Sequence, residues 1–184
     1  MGLNHSKIKH RKKIEKPPIK IALLGDEKVG KTSICSSFLG LEFQDDCLST
    51  FGNEANRKRI SLKYGKEMKL IIWDTPGRER FRSAASKLLK SVEGFVLVFD
   101  VTNRQSFENL EGWLKIIKEN SKKKPIICLF GNKVDVDEDK WTVKKEEIEE
   151  FVKIKGLEYY NVSAKNGIGL NEGINYLANK IYDN

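Results

Sequence analysis

The sequence predicts an α/β fold, a six-stranded, mostly parallel sheet with helices on both faces. Three observations carry that expectation. Short, nearly continuous apolar runs recur along the chain, among them Gly94–Asp100 (GFVLVFD) and Pro125–Phe130 (PIICLF). Strands that are apolar throughout are those buried on both faces. Segments of helical spacing separate these runs, the alternation that generates parallel crossovers.

The elements follow in order. Residues 1–18 read as a flexible basic arm ahead of the domain proper, 19–184. Pro17-Pro18 closes the arm, since proline neither continues a helix nor donates to a sheet ladder. Ile19–Leu24 is the first strand and Lys31–Leu39 the first helix. Residues 57–63 and 68–73 read as paired strands joined at Tyr64-Gly65-Lys66-Glu67, and residues 80–90 as a helix. After the strand Gly94–Asp100, residues 104–120 have helical spacing through Phe107, Leu110, Trp113 or Leu114, and Ile117. The strand at 125–130 precedes a charged amphipathic helix over 143–155, closed by Gly156. Tyr159–Val162 is the last strand and 170–182 the last helix.

With 184 residues and 39% apolar content, the chain suits one domain with one core. No apolar run approaches the roughly 18 residues of a membrane span, and the N-terminus has no apolar signal core, so secretion is not expected. Cys35, Cys47 and Cys128 offer neither a zinc pair nor a disulfide framework, which points to a reduced, cytoplasmic setting. The net charge of +8 is uneven. Lys7, Lys9, Arg11, Lys12, Lys13, Lys16 and Lys20 oppose only Glu15, so the first 20 residues hold +6 and the remaining 164 hold +2. Charge confined to a tail reads as an interaction arm, and no nucleic-acid partner is expected.

In open α/β sheets ligands bind beyond the carboxyl ends of the strands. Four loops there carry chemistry. Gly25-Asp26-Glu27-Lys28-Val29-Gly30-Lys31-Thr32 fits GxxxxGK[ST], with Ser33 next in line. Its backbone N–H groups wrap a phosphate at a helix N-terminus, Lys31 neutralises the β- and γ-phosphates, and Thr32 offers a hydroxyl to Mg²⁺. Trp73-Asp74-Thr75-Pro76-Gly77 ends a buried strand on a carboxylate, which is costly unless a cation lies near. Asp74 is therefore a candidate Mg²⁺ residue, acting through water, and the Gly77 N–H a candidate γ-phosphate contact. Asn132-Lys133-Val134-Asp135 places a carboxylate that can accept from the N1 and N2 edge of guanine. Adenine lacks that donor pair, and such a mismatch discriminates strongly. Ser163-Ala164-Lys165 follows the last strand, where the Ala164 N–H can meet guanine O6.

The order and spacing of these loops resemble the Ras superfamily of small GTPases over residues 19–182, and the P-loop GTPase domain is the fold that resemblance implies. Segments Lys69–Asp74 (KLIIWD), Arg80–Ser83 (RFRS) and Leu97–Thr102 (LVFDVT), with Ser106–Leu110, look most like the Rab branch. The resemblance implies GTP/GDP and Mg²⁺ as ligands. It sets Thr50 at the switch threonine that joins Mg²⁺ with GTP, and Phe43 at the ring that stacks on guanine. Exchange factors and effectors would read residues 45–55 and 77–88, with Trp73 as an exposed aromatic there. The aromatic usual at position 55 is Ala55, and a tyrosine pair expected near Leu88-Leu89 is absent, so the effector surface departs from the pattern.

Two departures bear on hydrolysis. The family uses Gln after the glycine of the second loop, whereas this chain has Arg78, and a guanidinium cannot accept a hydrogen bond from the attacking water. Glu27 stands where a small residue is usual and brings bulk and negative charge to the γ-phosphate. Slow hydrolysis and poor stimulation by an activating protein follow, with Arg78, Gly77 and Lys31 as the catalytic candidates. Glu27 and Arg78 are positioned to pair across the site. A GTP-holding scaffold that does not hydrolyse is the alternative.

Met1-Gly2-Leu3-Asn4-His5-Ser6 fits the N-myristoylation pattern at Gly2. One acyl chain binds membranes only marginally, and the adjoining basic cluster supplies a second signal. Read as complete, the C-terminus offers no cysteine for prenylation. The expectation is a monomer held peripherally on the cytosolic face of an endomembrane or the plasma membrane, with the arm on its anionic surface.

Overall fold

The computed structural model describes residues 16–44, 50, 52–77, 87–121 and 124–184. Its strands are β1 (Ile19–Leu24), β2 (Glu54–Ser61), β3 (Glu67–Asp74), β4 (Gly94–Asp100), β5 (Ile126–Asn132) and β6 (Glu158–Asn161). They form one six-stranded sheet in the order β2-β3-β1-β4-β5-β6. Only the hairpin partner β2 runs antiparallel, and the other pairings are parallel. The described helices are α1 (Lys31–Leu39), α2 (Arg104–Glu108), α3 (Leu110–Asn120), α4 (Lys145–Lys155) and α5 (Leu170–Asp183).

The apolar runs are apolar because both faces of the sheet are covered. Every residue of β4 is buried. One core lies under α1 and α5, where Ile34, Phe38, Ile174 and Leu177 meet Ile21, Leu23, Leu70, Ile72, Val96 and Val98. The other lies under α2, α3 and α4, where Phe107, Leu110, Trp113, Ile117 and Ile148 meet Leu24, Leu97, Phe99 and Leu129. Each such side chain contributes about 1.5–3 kcal/mol on burial. The parallel strands bring the loops after β1, β3, β5 and β6 to one edge of the sheet, as the sequence predicts.

Several boundaries differ from expectation. β2 begins at Glu54, three residues earlier than expected, because Glu54, Ala55 and Asn56 pair with Asp74, Trp73 and Ile72. Polar residues on an edge strand leave no apolar signal. β5 runs past Phe130 because Gly131 and Asn132 pair with Phe99 and Asp100 of β4. The helix expected over 104–120 is divided at Asn109, whose side-chain amide is drawn to Asp26. Trp113, not Leu114, is its buried member. Trp73 is half-buried against the second core rather than exposed, since it lies on a covered stretch of β3. Of the helix expected over 80–90, residues 87–89 are helical and residues 80–86 lie outside the described residues.

Candidate nucleotide-binding site

The site is built from the first loop upward. Gly30 has φ 95°, and a Cβ there would overlap the Asn132 side-chain amide, so only glycine permits this approach. Lys28 sits at φ 65°, a left-handed conformation uncommon for a residue with a side chain. Lys31 opens α1 and is 5% exposed. Its Nζ donates to the carbonyls of Gly25 at 3.0 Å and Asp26 at 2.6 Å. Burial pulls the ammonium down to about 8, against the opposing attraction of Asp74, Asp26 and Glu27. An ammonium held in that condition is a strong receptor for a multivalent anion. Half-buried Glu27 thus lies close enough to act electrostatically on Lys31.

The three residues expected to serve a metal are gathered. Thr32 Oγ1 donates to Asp74 Oδ2 at 2.7 Å and lies 2.8 Å from Thr50 Oγ1, which is itself 3.4 Å from Asp74 Oδ2. Asp74 Oδ1 is buried without a hydrogen-bond partner. Burial raises the Asp74 carboxyl, opposed by its bond from Thr32 and by Lys31. Among the described residues no group of three His, Cys, Asp or Glu could hold a metal. Two hydroxyls and one carboxylate are instead a donor set for Mg²⁺, which keeps waters and takes its remaining oxygens from substrate phosphates. The orphaned oxygen of Asp74 fits that ion.

The second loop is pressed against the first. Thr75 Oγ1 donates to the Leu23 carbonyl at 2.6 Å, tying the loop to β1. A Cβ on Gly77 would overlap the Glu27 nitrogen and the Asp26 carbonyl group. Gly77 therefore lies on the phosphate loop itself.

At the other end, Asn132 joins three loops. Its Nδ2 donates to the Val29 carbonyl at 2.8 Å, and its Oδ1 accepts from the Ala164 N–H at 3.1 Å. Contact between Ala164 and guanine O6 requires that N–H to be shared. The exposed Asp135 accepts from Ser163 Oγ at 2.6 Å, and Ser163 Oγ accepts in turn from the Asn166 N–H at 3.1 Å. The buried serine fixes one carboxylate oxygen of Asp135. Lys133 has φ 71°. Ser33 is half-buried on the first turn of α1, Phe43 is half-buried against the core, and Lys165 is exposed. Arg78 and Gly2 lie outside the described residues, as do 45–49, 51 and 78–86 of the expected partner surface.

Two supporting carboxylates escaped the sequence reading. Asp100 Oδ2 lies 2.6 Å from Lys133 Nζ, while its Oδ1 accepts from the N–H and hydroxyl of Thr102 at 2.9 and 2.7 Å. The signal was present, because Asp100 ends a buried strand as Asp74 does. Asp26 accepts from Trp113 Nε1 at 2.7 Å and Asn109 Nδ2 at 2.6 Å. Asp26 falls at an unconstrained position of the motif, so nothing local marks it.

Residues 20–183 match the Ras family. The chain is 36% identical to "Ras-related protein Rab-13" of Mesocricetus auratus over 162 residues, 88% of this chain and 79% of that protein. It is 35% identical to "Ras-related protein RABA4b" of Arabidopsis thaliana over 164 residues, 89% and 72% of the two chains. With "Ras-related protein Rab-27A" of Rattus norvegicus it shares 35% over 173 residues, 89% and 78%. A phosphate loop, a hydroxyl–carboxylate cluster and a base loop on one sheet edge, joined to these likenesses, place the chain in the Ras family as a Rab-like GTPase.

Proposed function

We propose that the chain is a guanine-nucleotide switch of membrane traffic with deliberately slow GTP hydrolysis. The observation that carries this reading is the convergence of Thr32, Thr50 and Asp74 beside the buried Lys31. Thr50 comes from the segment between α1 and β2, and its hydroxyl joins a cluster suited to sensing whether a γ-phosphate and its metal are bound. Thr32, Thr50 and, through water, Asp74 would hold Mg²⁺, whose chemistry is to neutralise charge on the β- and γ-phosphates. Lys31 and the N–H groups of the first loop bind the phosphates, and the Gly77 N–H reads the terminal one. Asp135 selects guanine, with Ser163 holding its carboxylate in orientation.

Slow turnover rests on Glu27 and Arg78. Glu27 contributes negative charge at the phosphate end, and an arginine after Gly77 cannot accept a hydrogen bond from the attacking water. A Glu27–Arg78 pair would moderate that charge. Single-turnover GTP hydrolysis by the full chain and by Arg78→Gln tests the reading. Slow hydrolysis that rises with Gln supports a weakened clock. Retained GTP with no hydrolysis in either protein supports the scaffold reading, which Glu27 also favours.

The arm, with Gly2 as the acyl site and its basic cluster as the second signal, would hold the protein peripherally on a cytosolic membrane face. No helix among the described residues is long and apolar enough to cross a bilayer. Mass spectrometry of the native N-terminus decides whether Gly2 is acylated.

A further inference from the structure

We propose that the end of the sheet opposite the four motif loops is a membrane-docking face, in which the β2–β3 hairpin tip rests on an anionic lipid surface beside the root of the N-terminal arm. The proposal rests on the arm reading above and extends it to the folded domain.

Three observations place this surface. The described chain begins at Lys16, whose Nζ lies 4.1 Å from the centre of the Tyr182 ring at the end of α5. Lys66 of the hairpin tip lies 4.9 Å from the same ring. Lys16, the first described residue, thus lies alongside the tip. The Lys63 N–H donates to Asn179 Oδ1 at 2.9 Å, which pins the tip to α5. Two ammonium groups gathered on one ring repel each other, and exposed Lys63 and Lys180 add to the positive field. Glu67 and Asp183 are acids adjoining these lysines in sequence, and Glu93 lies at the same end of the sheet with its carboxylate accepting from the Lys20 N–H at 2.9 Å. An anionic surface relieves that repulsion, and the sequence holds five further cations within residues 1–15.

Tyr64 supplies the apolar part. It stands at the crest of the tip, 95% exposed, at φ 61°. A tyrosine held in the left-handed region with its ring in water serves no core. An amphipathic ring flanked by lysines suits the headgroup level of a bilayer. β3 runs eight residues from the tip to Asp74, so the metal cluster lies roughly 23 Å away at the usual strand rise. Docked this way, the nucleotide loops face away from the lipid.

The test is co-sedimentation of the full chain with vesicles of phosphatidylcholine alone or with 30% phosphatidylserine. Wild type is expected to bind only the anionic vesicles. Lys63→Ala with Tyr64→Ser should lower that partition about tenfold, through loss of a surface cation and of the ring, with GDP binding unchanged as the check on folding. Lys12→Glu with Lys13→Glu probes the arm. Tip variants that bind like wild type while arm variants fail overturn the docking face and leave the arm reading standing. The reverse pattern keeps the face and removes the arm. Equal binding to neutral vesicles, or none to either, overturns both.

Discussion

Removing the hydrogen bond from Trp113 to Asp26 should loosen the phosphate loop from helix α3. Asp26 lies between the loop glycines, and its carbonyl accepts from Lys31 at 2.6 Å while its carboxylate accepts from Trp113 and Asn109. One residue therefore holds the phosphate-binding lysine with its backbone and α3 with its side chain. A hydrogen bond to a charged acceptor contributes about 1.5–3 kcal/mol. Asp26 is half-buried, so water recovers part of that, and a coupling of about 1–2 kcal/mol is expected. Trp113→Phe also leaves a gap in the core, costing about 1 kcal/mol whatever Asp26 does. A double-mutant cycle with Asp26→Ala cancels that packing cost. The assay is urea unfolding at fixed GDP and Mg²⁺, corrected for each variant's measured GDP affinity, since ligand binding adds its own stabilisation. GDP release from Trp113→Phe should quicken about three- to tenfold, because the change acts mainly on dissociation. A coupling below about 0.5 kcal/mol with unchanged release would refute the idea that α3 holds the loop.

Three further outcomes are expected. Asn132→Ala strands the Val29 carbonyl and the Ala164 N–H, and should cost about 2–3 kcal/mol in unfolding free energy. Asp135→Ala should weaken GDP far more than it weakens a purine diphosphate without the N2 amine, in a direct competition titration, because only guanine presents the donor pair that the carboxylate accepts. Burial pushes the Cys128 thiol up to about 12 from 9.0. The folded state keeps that proton when the unfolded chain has released it, so the contribution is complete below pH 9 and is lost as pH rises toward 12. Denaturant midpoints should show a loss of about 1 kcal/mol from this group between pH 9 and 10, and Cys128→Val should abolish that part.

The parallel core was legible because burial on both faces imposes an unbroken apolar run, and β1, α1 and β4 fall where the sequence places them. The start of β2 leaves no mark in the sequence because an edge strand is held by backbone bonds to β3, which Glu54, Ala55 and Asn56 make without any side-chain signature. In the site, Thr32, Asp74 and Asn132 were readable because their motifs fix residue type and spacing together. Trp113 was not. Its helical spacing marks it equally well as core, and its bond to Asp26 spans 87 positions, a pairing set by how α3 packs on the sheet. Asp100 shows the intermediate case, a buried strand-end carboxylate that demanded a partner without naming Lys133.

The Asn132 amide, with one arm on the first loop and the other on the last, makes the two ends of the ligand parts of a single chelate. Guanosine alone should order the Asn132 arm that supports Val29, and pyrophosphate alone should order the arm that receives Ala164. Each fragment then prepares the pocket of the other, so the two should bind more tightly together than apart even with no bond between them. The intact nucleotide gains the same advantage internally, through the high effective concentration of its second end. Breaking either Asn132 contact should therefore weaken the hold at both ends.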